Sequence, residues 1–94
     1  MYTIDWSAQA DDSYERLLNY LYERYGVDSV IKMDEKTMDL IDKLRTNQYL
    51  CPPSFEHRGL RKCVVTKYTS LIYRVGDNTI ELVTFTDNRS KETF

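Results

Sequence analysis

Between Leu60 and Arg89 the chain reads LRKCVVTKYTSLIYRVGDNTIELVTFTDNR, three β-rich runs joined by the short links Lys67-Tyr68-Thr69 and Gly76-Asp77-Asn78. Links that short cannot cross over a sheet, so the runs have to lie as antiparallel neighbours. Each run has a period of two. Leu60, Lys62 and Val64 alternate with Arg61, Cys63 and Val65; Leu71, Tyr73 and Val75 alternate with Ser70, Ile72 and Arg74; Ile80, Leu82 and Thr84 alternate with Glu81, Val83 and Phe85. The more consistently apolar set (Val64, Leu71, Tyr73, Val75, Ile80, Leu82) is expected to face the core. The other set then puts Val65, Ile72, Val83 and Phe85 in the middle of a second face, with Arg61 and Arg74 at its margins.

The preceding residues supply the scaffold. Tyr2, Ile4 and Trp6 alternate with Thr3 and Asp5 as a short strand with one buried face would. Ser7 can cap a helix whose stripe is Ala10, Tyr14, Leu17, Leu18, Leu21, Tyr22 and Tyr25, and Gly26 can end it. A second helix, capped at Asp28 or Ser29, would turn Val30, Met33, Thr37, Leu40 or Ile41, and Leu44 inward. With Gly26-Val27 alone between them, the two helices have to fold back as an antiparallel hairpin. The helical signal fades near Asn47, and Pro52-Pro53 forbids its continuation. Residues 48–59, which include His57 and Arg58, are expected to form a loop. The predicted class is α+β: one domain over residues 1–94, with the N-terminal strand and helix hairpin packed on one face of a small, mainly antiparallel sheet.

Charge is unevenly spread. The chain has a formal net charge of −2, yet residues 1–50 hold ten acids and six bases while residues 51–94 hold seven bases and five acids. No acid occurs between Glu56 and Asp77. Such asymmetry marks a local surface for an anionic partner rather than bulk nucleic-acid binding. The two cysteines, Cys51 and Cys63, are too few for a secreted framework and are expected to be reduced thiols. No Cys/His cluster suggests a metal, and no cofactor motif is present. The start MYTIDW has no secretory pattern, and no run reaches membrane-spanning length, so a cytoplasmic protein without membrane contact is expected.

The second face carries the functional expectation. Residues 87–94, DNRSKETF, are too few and too polar to cover it, so the patch around Ile72, Val83, Phe85 and Val65 is expected to be exposed or covered by another chain. Arg61, Arg74 and Arg89, with Lys62 and His57, are the candidate phosphate-contacting residues, since guanidinium groups bind phosphate in bidentate fashion. The plain alternative is that strand arginines keep a sheet soluble and block edge pairing.

Taken in order, the strand ending in Trp6-Ser7, Ala10, the helix hairpin, Leu60-Arg61-Lys62, the Leu71-Ile72-Tyr73-Arg74-Val75 strand, Ile80-Glu81-Leu82 and Asp87-Asn88-Arg89 resemble the RelE/ParE superfamily of type II toxin–antitoxin toxins. The closely linked hairpin is more like the ParE side. The resemblance implies a growth-inhibiting, plasmid-stabilising toxin neutralised by a protein antitoxin, with a homodimer left open. Two targets follow from it. ParE-like members poison DNA gyrase by binding. RelE-like members cut mRNA on the ribosome without metal, which needs cations, a base and an acid. Arg61 and Arg89 match family basic positions, whereas Ser70 stands where a catalytic arginine would align. Lys91-Glu92-Thr93-Phe94 offers no terminal tyrosine or histidine, and His57 is the one substitute. Enzymatic activity is therefore undecided, and an interaction-only member is a third alternative.

Overall fold

The computed structural model describes residues 1–89 and the backbone of Glu92 and Thr93. The first strand, β1 (Thr3–Trp6), leads into α1 (Ala8–Tyr25) and α2 (Val27–Thr46). After an irregular segment come β2 (Arg61–Thr66), β3 (Thr69–Val75) and β4 (Thr79–Asp87), and the two-residue β5 (Glu92–Thr93). The sheet order is β1-β4-β3-β2, with β5 pairing the far end of β4. β1 runs parallel to β4, and the other pairs are antiparallel. The expected α+β hairpin-on-sheet architecture is what forms.

Local chemistry explains the helix ends. The Ser7 hydroxyl accepts the Ala10 N–H at 2.9 Å and donates to the Val83 carbonyl at 2.8 Å, so one residue caps α1 and ties it to β4. Gly26, at φ 88°, closes α1 through its N–H to the Tyr22 carbonyl and leads directly into α2. That left-handed turn needs glycine and makes the hairpin tight. The expected cap at Asp28 or Ser29 is not used. Ser29 lies inside the first turn of α2, and its hydroxyl donates to the carbonyls of Leu21 and Gly26. On α2, Met33, Thr37, Ile41 and Leu44 are buried as the period predicts. On α1 the buried stripe stops early, and Tyr22 and Tyr25 stand in solvent.

The core lies between the hairpin and one sheet face. α1 runs along β4, while α2 reaches β1 and β2. Trp6, Tyr14 and Phe85 form an aromatic cluster with ring centroids 4.8–5.8 Å apart, separations at which such pairs add to area burial. The Tyr14 hydroxyl donates to Asp34 at 2.6 Å, and burial, aided by this bond, pushes its pKa well above the usual tyrosine value.

The second face departs from expectation in three ways. First, the β3–β4 register shifts between Ile72↔Thr84 and Tyr73↔Leu82, leaving Val83 as an extra residue in β4. A bulge reverses the inward–outward phase beyond it. Phe85 therefore joins Leu82 in the core at 0% exposure instead of lying outside. Ser13 of α1 stabilises the bulge, its hydroxyl accepting the Phe85 N–H at 2.9 Å. Second, β2 has the opposite phase: Cys63 is buried opposite Leu71, while Val64 is 68% exposed. Val65, beyond a further register shift, packs against the core. Third, Ile72 does lie on the face away from the hairpin core, but it is fully buried between its cross-strand neighbours Lys62 and Thr84. With Val83 half-buried, the expected exposed apolar patch does not form among the described residues.

Cys51 and Cys63 are joined by a disulfide, with Cα atoms 5.3 Å apart, which corrects the expectation of reduced thiols. The tertiary fold brings them together across residues 52–62. The Pro-Pro segment turns back along the outer edge of β2, where Lys62 N–H donates to Pro52 O and Pro53 bridges to Arg61.

Candidate functional site

The candidate cations do not converge. Arg61 lies opposite Tyr73 and Arg74 opposite Glu81, and successive strand residues point to opposite faces. Arg61 and Arg74 are therefore neighbours across two faces, at the far end of the sheet from Arg89. Arg89 follows Asp87, which pairs with Thr69. Five residue steps along β3 take the chain from Thr69 to Arg74, about 16 Å at ~3.3 Å per residue. No common phosphate position lies among the three.

Each also has its own partner. Arg61 Nη1 donates to the Cys51 carbonyl at 2.7 Å, and its guanidinium lies over the Tyr49 ring, 4.7 Å from the centroid. Arg74 forms an exposed ion pair with Glu81 at 2.8 Å, and Lys62 pairs with Glu56 at 3.5 Å. His57 belongs to a local turn in which the Ser54 hydroxyl accepts the N–H groups of Glu56 and His57, with Nδ1 3.4 Å away. It faces none of the arginines through any hydrogen bond or ion pair. The terminal stretch bearing Lys91 and Phe94, read as lacking a proton donor, lies outside the described residues.

Arg89 sits in the more developed environment. Asn88 is stapled to the β2–β3 turn: its N–H donates to Tyr68 O at 2.8 Å, and its side-chain carbonyl accepts the buried Ser70 hydroxyl at 2.8 Å. Ser70 thus holds this turn. Asp87 grips Arg89 through both carboxylate oxygens, 2.9–3.0 Å away, and this contact, with the Tyr20 hydroxyl at 3.4 Å, raises the guanidinium pKa further above its already high value. The guanidinium also contacts the Tyr20 and Tyr68 rings, 5.6 and 4.9 Å from their centroids. Arg24 sits over Tyr20 and Lys67 over Tyr68. The result is an alternating series, Arg24, Tyr20, Arg89, Tyr68, Lys67, contributed by α1, the β2–β3 turn and the end of β4.

Beside this series a groove of about 210 Å³ opens between the hairpin and the β2–β3 turn. Leu17, Leu21 and Met33 line it, Tyr20 and Tyr68 flank it, and Lys32, Lys36 and Arg89 stand at its rim. The sequence singled out Arg89 but not its tyrosines. Tyr20 had a retrievable signal, lying three residues past Leu17 on the helix, whereas the Tyr68 contact depends on long-range pairing. Among the described residues no cluster of three or more His, Cys, Asp or Glu side chains could hold a metal ion, and no helix is long and apolar enough to cross a membrane.

The family described as the ParE toxin of type II toxin–antitoxin system, parDE, matches residues 4–91. The chain belongs to the ParE toxin family. It is thereby a type II toxin of the RelE/ParE superfamily. The chain is similar to the structure described as the chromosomal ParDE system of P. aeruginosa, with TM-score 0.78 and 19% identity over 93% of this chain and 96% of that one. A copper-bound mutant toxin from Helicobacter pylori gives TM-score 0.71 and 20% identity over 96% and 98%. A YoeB/ParE toxin from Agrobacterium tumefaciens gives 0.69 and 19% over 92% and 98%. No curated protein matches the toxin's sequence.

Proposed function

We propose that this toxin acts by binding, with DNA gyrase as its target, and that a protein antitoxin holds it inactive. The observation that carries this reading is the dispersal of Arg61, Arg74 and Arg89 over two ends and two faces of the sheet, each already paired. Phosphodiester cleavage by 2′-hydroxyl attack needs cations and a proton-transfer group around one phosphate. A binding mode needs no such convergence. Growth inhibition, plasmid stabilisation and a cytoplasmic site of action belong to the same proposal.

The antitoxin's seat is the groove beside Tyr20 and Tyr68, in place of the outer sheet patch. Its apolar floor and cationic rim suit an antitoxin segment that inserts an apolar side chain and carries carboxylates beside it. The ParDE description of the Pseudomonas structure is consistent with a toxin–antitoxin pair.

The test uses purified toxin with gyrase and supercoiled DNA, and in parallel with mRNA on programmed ribosomes. Accumulation of gyrase–DNA cleavage complexes, reduced in Arg89→Ala, is the expected result. A second reading, ribosome-dependent mRNA cleavage, is favoured by the alternating cation–tyrosine series, because exposed aromatic faces flanked by cations can stack bases. Cleaved mRNA with no gyrase complexes would establish that reading. Blank results in both assays, with no growth defect on expression, would leave an interaction-only protein.

A further inference from the structure

We infer that Cys51 and Cys63 form a thiol–disulfide switch that clamps residues 48–54 onto the open edge of β2 and is released by a dithiol reductant. The inference is independent of the target. The two cysteines differ in access. Cys63 is 1% exposed within the core, whereas Cys51 is partly exposed on an irregular segment. Apart from the disulfide, that segment is held by backbone and side-chain hydrogen bonds. Lys62 N–H donates to Pro52 O at 3.1 Å, Ser54 N–H to Leu60 O at 2.9 Å, and Arg61 Nη1 to Cys51 O at 2.7 Å. The Tyr73 hydroxyl adds bonds to Gln48 O and from Cys51 N–H. Apolar burial in the segment is confined to Cys51, which packs against the core, since Tyr49 and Leu50 are exposed. A segment secured by rim hydrogen bonds belongs to the low-stability end of a fold, so its covalent anchor decides how often it opens.

The exchange chemistry follows from access. A reductant thiolate attacks Cys51 Sγ, the S–S bond breaks, and Cys63 departs as a thiolate that takes up a proton. The second thiol of the reductant then attacks the mixed disulfide, forms the reductant's own disulfide and releases Cys51 as a thiol. The protein gains two electrons and two protons, and the dithiol loses them. Reduced Cys63 remains in the core as a small apolar side chain, so the sheet and hairpin persist. The released segment uncovers the Arg61–Lys62 edge of β2 and frees the Arg61 guanidinium from the Cys51 carbonyl. The oxidised toxin therefore holds Arg61 against the Cys51 carbonyl, and the reduced toxin presents it.

The experiment compares hydrogen exchange in the full chain, purified without reductant, before and after dithiothreitol, with thiols counted by alkylation and mass. No free thiol is expected before treatment and two after it. Exchange of the Ser54 and Lys62 amides should rise about tenfold or more while amides of α1, α2 and the β3–β4 pair hold their rates. Cys51→Ser, at the accessible position, should exchange rapidly at Ser54 and Lys62 with or without dithiothreitol. Two free thiols in the untreated protein would overturn the switch. So would unchanged Ser54 and Lys62 exchange after reduction, or faster exchange throughout both helices, which marks a global staple.

Discussion

At one end of the sheet Arg89 rests between two tyrosine rings and borders a groove; at the other, Arg61 folds back onto the carbonyl of its own disulfide-anchored segment. Both arginines come from the same positively charged stretch, and both touch tyrosine. The difference is what surrounds them. Around Arg89 the turn through Asn88 is fixed to β3 and the β2–β3 link, which leaves the guanidinium positioned yet exposed. Around Arg61 the irregular segment lies against the guanidinium itself, the Cys51 carbonyl accepting from Nη1 and the Tyr49 ring stacked on it, so a partner would have to displace that segment. Availability of a cation is thus a property of the packing around it, and the number of arginines on a strand says little about it.

The comparison breaks most completely if the support beneath the Arg89 end is removed. Phe85 fills the aromatic cluster two residues before Asp87. Phe85→Ala should cost about 3–5 kcal/mol, measured by urea unfolding, and should also loosen the Asp87–Arg89 turn. Ser13→Ala attacks the same end more gently. It removes the acceptor of the Phe85 N–H at the bulge, and leaving that buried donor unpaired should cost about 1–3 kcal/mol. An equal loss of protection at the 48–54 segment in either variant would show the two ends to be one cooperative unit.

The bulge also explains where sequence reading stopped. The hairpin was legible because Ser7, Gly26 and the 3.6-residue period each point to one structure, and the antiparallel pairing was legible from the short links. Strand phase was not. Val64 and Val65 are both apolar, as are Leu82, Val83 and Phe85, so alternation fits either face, and one extra residue reverses it. Cys63, rather than Val64, turns inward because the disulfide partner and Leu71 lie on that side. Of the site, Arg89 was legible as a residue and its clamp was not. Tyr20 could be placed near the inner stripe of α1 from its spacing to Leu17, but Tyr68 is brought to Arg89 by a turn and long-range pairing that leave no local pattern.

Alkaline pH offers a milder probe of both ends. Burial raises the pKa of Tyr14 within the aromatic cluster and of Tyr73 beside the clamped segment. A group whose pKa is higher folded than unfolded keeps its full contribution below the unfolded value, about 10 for tyrosine, and loses it as pH climbs through the folded one. Stability should therefore be flat up to pH of about 10 as far as these groups are concerned, and fall above it. Tyr14→Phe and Tyr73→Phe should each make that fall shallower in denaturation curves taken against pH. Tyr73→Phe should also quicken exchange at the Cys51 amide, which donates to the lost hydroxyl.

The smallest structural effects belong to the exposed arginines, and there the two ends separate most clearly by function. Arg74 pairs with Glu81 on the surface, with the arginine side chain 58% exposed. Such pairs are worth roughly 0–1 kcal/mol, so Arg74→Ala should leave unfolding nearly unchanged and growth inhibition intact. Arg89→Ala should likewise leave the unfolding transition close to its place, because the arginine side chain is itself 44% exposed and its removal opens the Asp87 carboxylate, 18% exposed beside it, to water. Yet it removes the central cation of the Arg24–Tyr20–Arg89–Tyr68–Lys67 series. Growth inhibition on expression without antitoxin should therefore drop in Arg89→Ala and persist in Arg74→Ala. A growth assay with the reverse ranking would move the functional surface to the Arg61–Arg74 end.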